Sequence, residues 1–160
     1  MKRGAVGTRH WGRLTAGSIQ TDTHVQLPEQ AGKERSVAEA RSYDVIVYGA
    51  TGFTGRLVTE HMLATYGVGR DVRWAMAGRS KAKLQAIREE IGAAETLPLV
   101  VADASNAASL ASMARTAKVI ITTVGPYQLY GEPLVAACVD AGTDYVDLCG
   151  EPAWMAAMIA

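Results

Sequence analysis

Cysteine is scarce: Cys138 and Cys149 are the two in 160 residues, they stand in no metal-type spacing, and His10, His24 and His61 are scattered. This argues against a disulfide scaffold or a zinc site and fits a reducing cytosol. Net charge is missing as well. Sixteen basic side chains balance sixteen acidic ones, so bulk electrostatics offers no reason to expect a nucleic-acid or anionic-membrane partner. No apolar run approaches the roughly 18 residues a membrane-spanning helix needs. Length sets a further bound, because 160 residues suffice for one domain with a core but not for a nucleotide domain and a full second one.

The charge that is present lies unevenly. Residues 1–42 hold 7 basic and 4 acidic side chains, and residues 43–160 hold 9 and 12. The first 42 residues show no sustained helical or alternating pattern beyond Val37-Ala-Glu-Ala-Arg41. They read as a disordered tail or as a start codon assigned too far upstream. Lys2, Arg3, Arg9 and Arg13, with no acid before Asp22, give a faint likeness to an organelle transit peptide that lacks the apolar face. From Tyr43 onward short apolar runs alternate with helical patterns. Such alternation predicts an α/β domain over residues 43–160, a doubly wound parallel sheet covered by helices.

The chain is organised around Tyr43-Asp-Val-Ile-Val-Tyr-Gly-Ala-Thr-Gly-Phe-Thr-Gly55. Val45, Ile46 and Val47 form a run suited to a strand buried on both faces, and it ends in Gly49, Gly52 and Gly55 before an amphipathic segment. Gly49 allows a tight turn, Gly52 lets backbone approach a pyrophosphate, and Gly55 lets the new helix pack on its strand. The turn through Thr51, Phe53 and Thr54 then offers unpaired N–H groups and the positive helix end to an anion. Glycine turns are common, but here the required strand and helix stand on either side.

The remaining pattern predicts a first helix over 53–66 with Leu57, Val58, Met62 and Leu63 inward, and a second strand over 72–77. A helix follows over 81–91, with Leu84, Ile87 and Ile91 on one stripe. The third strand, 97–102, contains Pro98, which is tolerated at an edge or at a strand's first residue; the doubly wound order 3-2-1-4-5 places the third strand at the edge. A helix capped by Ser105 should run through Ala117, with Leu110, Met113 and Ala114 inward. The fourth strand, 118–124, breaks at Gly125-Pro126. Pro133 suits the first turn of a fourth helix that buries Leu134, Val135, Cys138 and Val139. A fifth strand over 144–148 precedes a helix in which the sequence stops, so the sheet is expected to be incomplete.

Several residues are placed to carry chemistry. At the end of the second strand, where an NAD site has an acid, this chain has Arg79 and Ser80. A guanidinium and a hydroxyl there favour the 2′-phosphate of NADP, the alternative being a surface charge and a helix cap. Asp103 can accept from an adenine amino group or can cap the following turn. Thr123-Val-Gly-Pro-Tyr127 should lie beside the cofactor at the switch point, with Gly125 and Pro126 shaping the loop and Tyr127 and Tyr130 on the nicotinamide side, although either tyrosine can equally be packing. Asp147, Cys149 and Glu151 cluster after the fifth strand and read as structural before catalytic. His61 reads as a helix-surface residue. A tyrosine followed four residues later by lysine would give a self-contained reductase its proton-transfer pair, but Tyr66 precedes Arg70 and Tyr127 precedes Gly131.

These stretches, together with Ala77-Gly-Arg-Ser80, Thr123-Val-Gly-Pro-Tyr-Gln-Leu-Tyr-Gly-Glu-Pro-Leu-Val-Ala-Ala-Cys138 and Tyr145-Val-Asp-Leu-Cys-Gly-Glu-Pro152, carry a resemblance. Residues 43 to about 160 resemble the N-terminal NADP-binding part of the saccharopine dehydrogenase-like oxidoreductases, especially the actinobacterial trans-acting enoyl reductase branch. The resemblance implies an NADPH-dependent reductase whose relatives reduce enoyl groups on lipid-linked or polyketide-synthase-bound chains. It implies a cytoplasmic protein, peripheral at the membrane at most and compatible with a homo-oligomer. Members of the family continue into a substrate domain that this chain does not include, so no catalytic residue is carried over. The cofactor residues Gly49, Gly52, Gly55, Arg79 and Ser80 are. The other expectations are a non-catalytic NADP(H)-sensing module and an inactive remnant.

Overall fold

The computed structural model describes residues 41–159. The expected tail lies outside the described residues except for Arg41 and Ser42, as do His10 and His24. Ten elements alternate: β1 (Tyr43–Tyr48), α1 (Phe53–Tyr66), β2 (Trp74–Gly78), α2 (Lys81–Glu90), β3 (Leu99–Val101), α3 (Ala107–Ala114), β4 (Ala117–Thr122), α4 (Tyr127–Ala141), β5 (Asp144–Val146) and α5 (Pro152–Ile159). The strands are parallel and lie in the order β3-β2-β1-β4-β5. This is the doubly wound topology the alternation predicts.

β1 is central because it has two faces to bury. Ile46 and Val47 are both fully buried, yet they serve opposite layers. Ile46 packs with Ala75, Ala77, Ile120, Leu110, Met113, Leu134 and Cys138 beneath α3 and α4. Val47 packs with Trp74, Met76, Met62 and Leu84 beneath α1 and α2. Right-handed crossovers produce this division, since a chain running outward from β1 to β3 lays its helices on one face and the return through β4 and β5 lays them on the other.

Polar groups fix the amino ends of the strands. Asp44 pairs with Arg73 at 3.0 Å and Lys118 at 2.9 Å, which ties β1 to the segment before β2 and to β4. Arg41 is buried, although it lies on the tail side of the expected boundary. Its guanidinium donates to the carbonyls of Ala117, Ala141 and Gly142 and to the Thr143 hydroxyl.

Several local expectations are corrected. α4 begins at Tyr127, not at Pro133, which sits inside it. A cap from a distant part of the chain, described below, stabilises the extra turns. α3 starts after Asn106, whose side chain accepts from Ser109 N, and Ser105 instead joins the turn at Asp103. In α1, Leu57 is half exposed while Thr59 is fully buried, its hydroxyl satisfied by the Arg56 carbonyl at 2.8 Å. In α4, Val139 is exposed, and the inward stripe is Tyr127, Gly131, Leu134 and Cys138. Pro98 immediately precedes the edge strand β3, its carbonyl accepting from Met76 N at 3.0 Å.

Candidate dinucleotide site

A cleft of about 550 Å³ opens at the carboxyl ends of β1, β2, β3 and β4. Gly49, Thr51, Gly52, Arg79, Asp103, Gly125 and Pro126 line it together with Tyr48, Thr123 and Tyr130. Phe53, Thr54, Gly55 and Ser80 do not. Gly55 is buried beneath the turn, Thr54 is exposed, and the Phe53 ring is 84% exposed outside the cleft.

The three glycines answer three different demands. Gly49 has φ +91°, and a Cβ there would meet Thr123 Oγ1 at 2.6 Å. Its amide donates to Ala77 O at 3.0 Å, which bends the chain over the end of β2. Gly55 packs so closely on Gly49 that a Cβ would overlap the Gly49 carbonyl group. Gly52 differs from both. Its φ is −85°, and a Cβ would touch only Gly49 O, at 3.4 Å. Neither strain nor crowding from the protein requires glycine at this position. A side chain would instead fill the cleft, so the missing Cβ makes room for something from outside the fold.

On the β2–β3 side, Arg79 is exposed and forms no ion pair among the described residues. Asp103 lies near enough to feel its charge. Hydrogen bonds from the Ser105 amide at 2.9 Å and hydroxyl at 2.8 Å, and then Arg79, hold the Asp103 carboxyl below its usual range. Both Ser105 bonds fall on Oδ1, so Asp103 caps its turn, one of its two expected roles. Burial, and secondarily the Asp103 charge, push the Tyr48 hydroxyl up to about 12, so the floor of the cleft is neutral there. Ser80 Oγ accepts from Lys83 N at 3.4 Å and thereby caps α2.

On the β4 side, the Thr123 hydroxyl lies 3.3 Å from the carbonyls of both Tyr48 and Gly49, joining the β4 end to the glycine turn. The two tyrosines divide their expected roles. Tyr130 lines the cleft, whereas Tyr127 is buried, donates its hydroxyl to Thr122 O at 3.3 Å and packs on Trp154 with ring centroids 5.6 Å apart. Glu151 accepts the amides of Tyr127 and Gln128 at 2.7 and 3.0 Å. Sequence reasoning gave Tyr48 no role at the site, put Thr123 in the loop beside the cofactor without naming its partners, and read Glu151 as structural without identifying the helix it caps. Glu151 lies 24 residues from its partner, beyond the reach of any local capping signal.

Together the bare Gly52 turn, the helix amino end behind it and Arg79, which has no ion-pair partner among the described residues, fit a ligand that carries a pyrophosphate and a second anionic group. The comparisons agree with that geometry. Residues 45–158 match the family described as the saccharopine dehydrogenase NADP binding domain. A trans-acting enoyl reductase of Mycobacterium ulcerans is 53% identical over 112 residues, 69% of this chain and 26% of its own length. One from Mycobacterium tuberculosis is 51% identical over 112 residues, with the same coverage of 69% and 26%. The chain thus spans about a quarter of the length of these curated relatives. Among solved structures, apo saccharopine dehydrogenase (L-Glu forming) from Saccharomyces cerevisiae aligns with TM-score 0.55 at 21% identity, covering 71% of this chain and 23% of that one. At that identity the likeness speaks to the fold.

Proposed function

The chain belongs to the saccharopine dehydrogenase NADP-binding domain family, and we propose that its cleft holds NADPH as the cofactor-binding part of an enoyl reductase. In this reading the amides of Thr51, Phe53 and Thr54, for which the turn provides no backbone acceptor, receive the pyrophosphate at the amino end of α1. Arg79 and the Ser80 hydroxyl receive the 2′-phosphate. The Ser80 oxygen accepts from Lys83 N, and its own proton remains to be donated. Asp103, Gly125 and Pro126 flank the ligand, consistent with binding outside the strand ends at the switch point. Bound NADPH supplies a hydride; the protein's part is to hold and orient it and to shield it from water.

The names of the relatives suggest the acceptor. An α,β-unsaturated acyl group on a lipid-linked or polyketide-derived chain would be reduced, with a substrate-holding part beyond the region matched here. No described helix is long and apolar enough to cross a membrane, and we place the reaction in the cytoplasm, at the membrane surface for a lipid-linked acceptor.

One observation carries the reading: Arg79, free of any ion pair among the described residues, lines the same cleft as Gly52. Equilibrium titration with NADPH and NADH tests it. NADPH is expected to bind more tightly, and Arg79→Ala to weaken NADPH about tenfold while sparing NADH. Equal affinity for the two nucleotides, or an Arg79→Ala variant indifferent to both, overturns the assignment. Oxidation of bound NADPH on adding an enoyl thioester, followed by absorbance, tests the reductase half separately.

A further inference from the structure

We propose that Glu151 is a positioning residue that holds the β4-side wall of the cleft, and with it the half of the dinucleotide remote from Arg79. The inference rests on the NADPH reading above.

α4 begins with two exposed demands. Its first amides have no intrahelical acceptor, and its N-cap residue, Pro126, has no side-chain group with which to cap them. The first turn also lacks an acidic side chain to face the positive helix end. Glu151 meets both demands from the loop after β5. One carboxylate oxygen accepts Tyr127 N at 2.7 Å and the other accepts Gln128 N at 3.0 Å. The cap is therefore bidentate and charge-assisted, and it sits against the residues that form the wall: Gly125 and Pro126 precede the capped amides and Tyr130 follows them.

The capping loop is itself anchored. Glu151 N donates to Cys149 Sγ at 3.2 Å, and Cys149 N donates to Asp147 Oδ1 at 3.0 Å. On the far side, Trp154 of α5 is buried against the same helix, and a Cβ on Gly131 would meet its ring at 2.5 Å. The first turn of α4 is thus clamped between a carboxylate and an indole. Of the two, the carboxylate holds the backbone amides that border the cleft, while the indole packs on the Tyr127 ring, with centroids 5.6 Å apart, and on Gly131 one turn further along. The cluster read from sequence as structural therefore has a consequence for the ligand.

Glutamine at position 151 keeps the shape but removes the charge and turns an NH₂ group toward one of the two amides. The test compares NADPH with 2′,5′-ADP, a ligand that has the adenosine phosphates but no nicotinamide. Glu151→Gln is expected to weaken NADPH about fivefold and to change 2′,5′-ADP less than about twofold. Glu151→Asp, which keeps the charge but shortens the reach, should fall between the wild type and Glu151→Gln. Circular dichroism establishes that each variant is folded, and the Tyr127 and Gln128 amide resonances report loss of the cap directly. Equal weakening of both ligands marks a general loss of structure and overturns the inference, as does no change in either. A wild-type protein that binds neither nucleotide instead removes the NADPH reading itself.

Discussion

The carbonyl group of Gly49 occupies the volume that a side chain on Gly55 would need: a Cβ there would lie 2.6 Å from the Gly49 carbonyl carbon. At Gly52 the nearest atom to a Cβ is Gly49 O at 3.4 Å. Two glycines three residues apart in one motif therefore serve different masters, one the fold and the other the ligand. The difference is open to measurement, because overpacking a site walled by backbone cannot be relieved by a rotamer change.

Gly55→Ala is expected to lower unfolding stability by about 3 kcal/mol in urea. Gly52→Ala, whose φ and surroundings suit alanine, should stay within about 1 kcal/mol of the wild type. Its effect should appear in NADPH affinity, with a loss of about tenfold or more. Should Gly52→Ala prove the less stable variant, or bind NADPH as the wild type does, the division of roles is wrong.

The same division explains what could be read from the sequence. The strand order was legible because Val45-Ile-Val47 demands two covered faces and Pro98 suits an edge or a strand's start, and both are local properties. The cradle was legible for the same reason, since glycine spacing and flanking pattern lie within thirteen residues. The start of α4 was not. Pro133 carries a strong local signal for a first turn, but the carboxylate of Glu151 and the ring of Trp154 stabilise the earlier turns from a distance. Leu57 and Val139 misled in a similar way. On a helix that packs against a sheet, small and polar residues such as Gly55, Thr59 and Gly131 can face inward when the approach is close, and the apolar stripe is then a poor guide to the buried one. At the cleft, Arg79 was identifiable from its place after a strand, whereas Thr123 came to the glycine turn only through the pairing of β1 with β4.

The two cysteines should differ sharply in reactivity. Cys138 is 1% exposed, and burial pushes its thiol up to about 11, with Arg41 only partly opposing the shift. At about pH 8 its thiolate fraction is on the order of one part in a thousand, and reagent cannot reach it. Cys149 is partly exposed. In the folded protein one thiol equivalent should react rapidly with a disulfide reagent, the second appearing only on denaturation. Cys149→Ser should abolish the fast phase. Two fast equivalents would show that the α4 layer opens readily.

At the opposite end of the sheet, the Asp44 carboxyl is held well below the usual carboxylate range. The Arg73 side chain is the main cause, followed by the Arg73 amide and Lys118. A carboxylate whose folded value is depressed contributes stability that is fully present above its unfolded value, near ~3.9, and is lost as pH falls through that value toward the folded one. Asp44→Asn removes the contribution at all pH values. Around pH 7 the variant should therefore melt a few degrees below the wild type, the effect being moderated because Arg73 and Lys118 are half exposed. As pH falls below about 4 the two melting curves should draw together, since the unfolded wild-type carboxyl takes up a proton there while the folded one still resists it. Salt should narrow the gap at neutral pH but not close it, because the bond from Arg73 N to Asp44 Oδ2 at 2.9 Å depends less on long-range attraction than the ion pairs do. A gap that persists undiminished to pH 2 would mean that asparagine disturbs the junction of the strands by shape and not by charge.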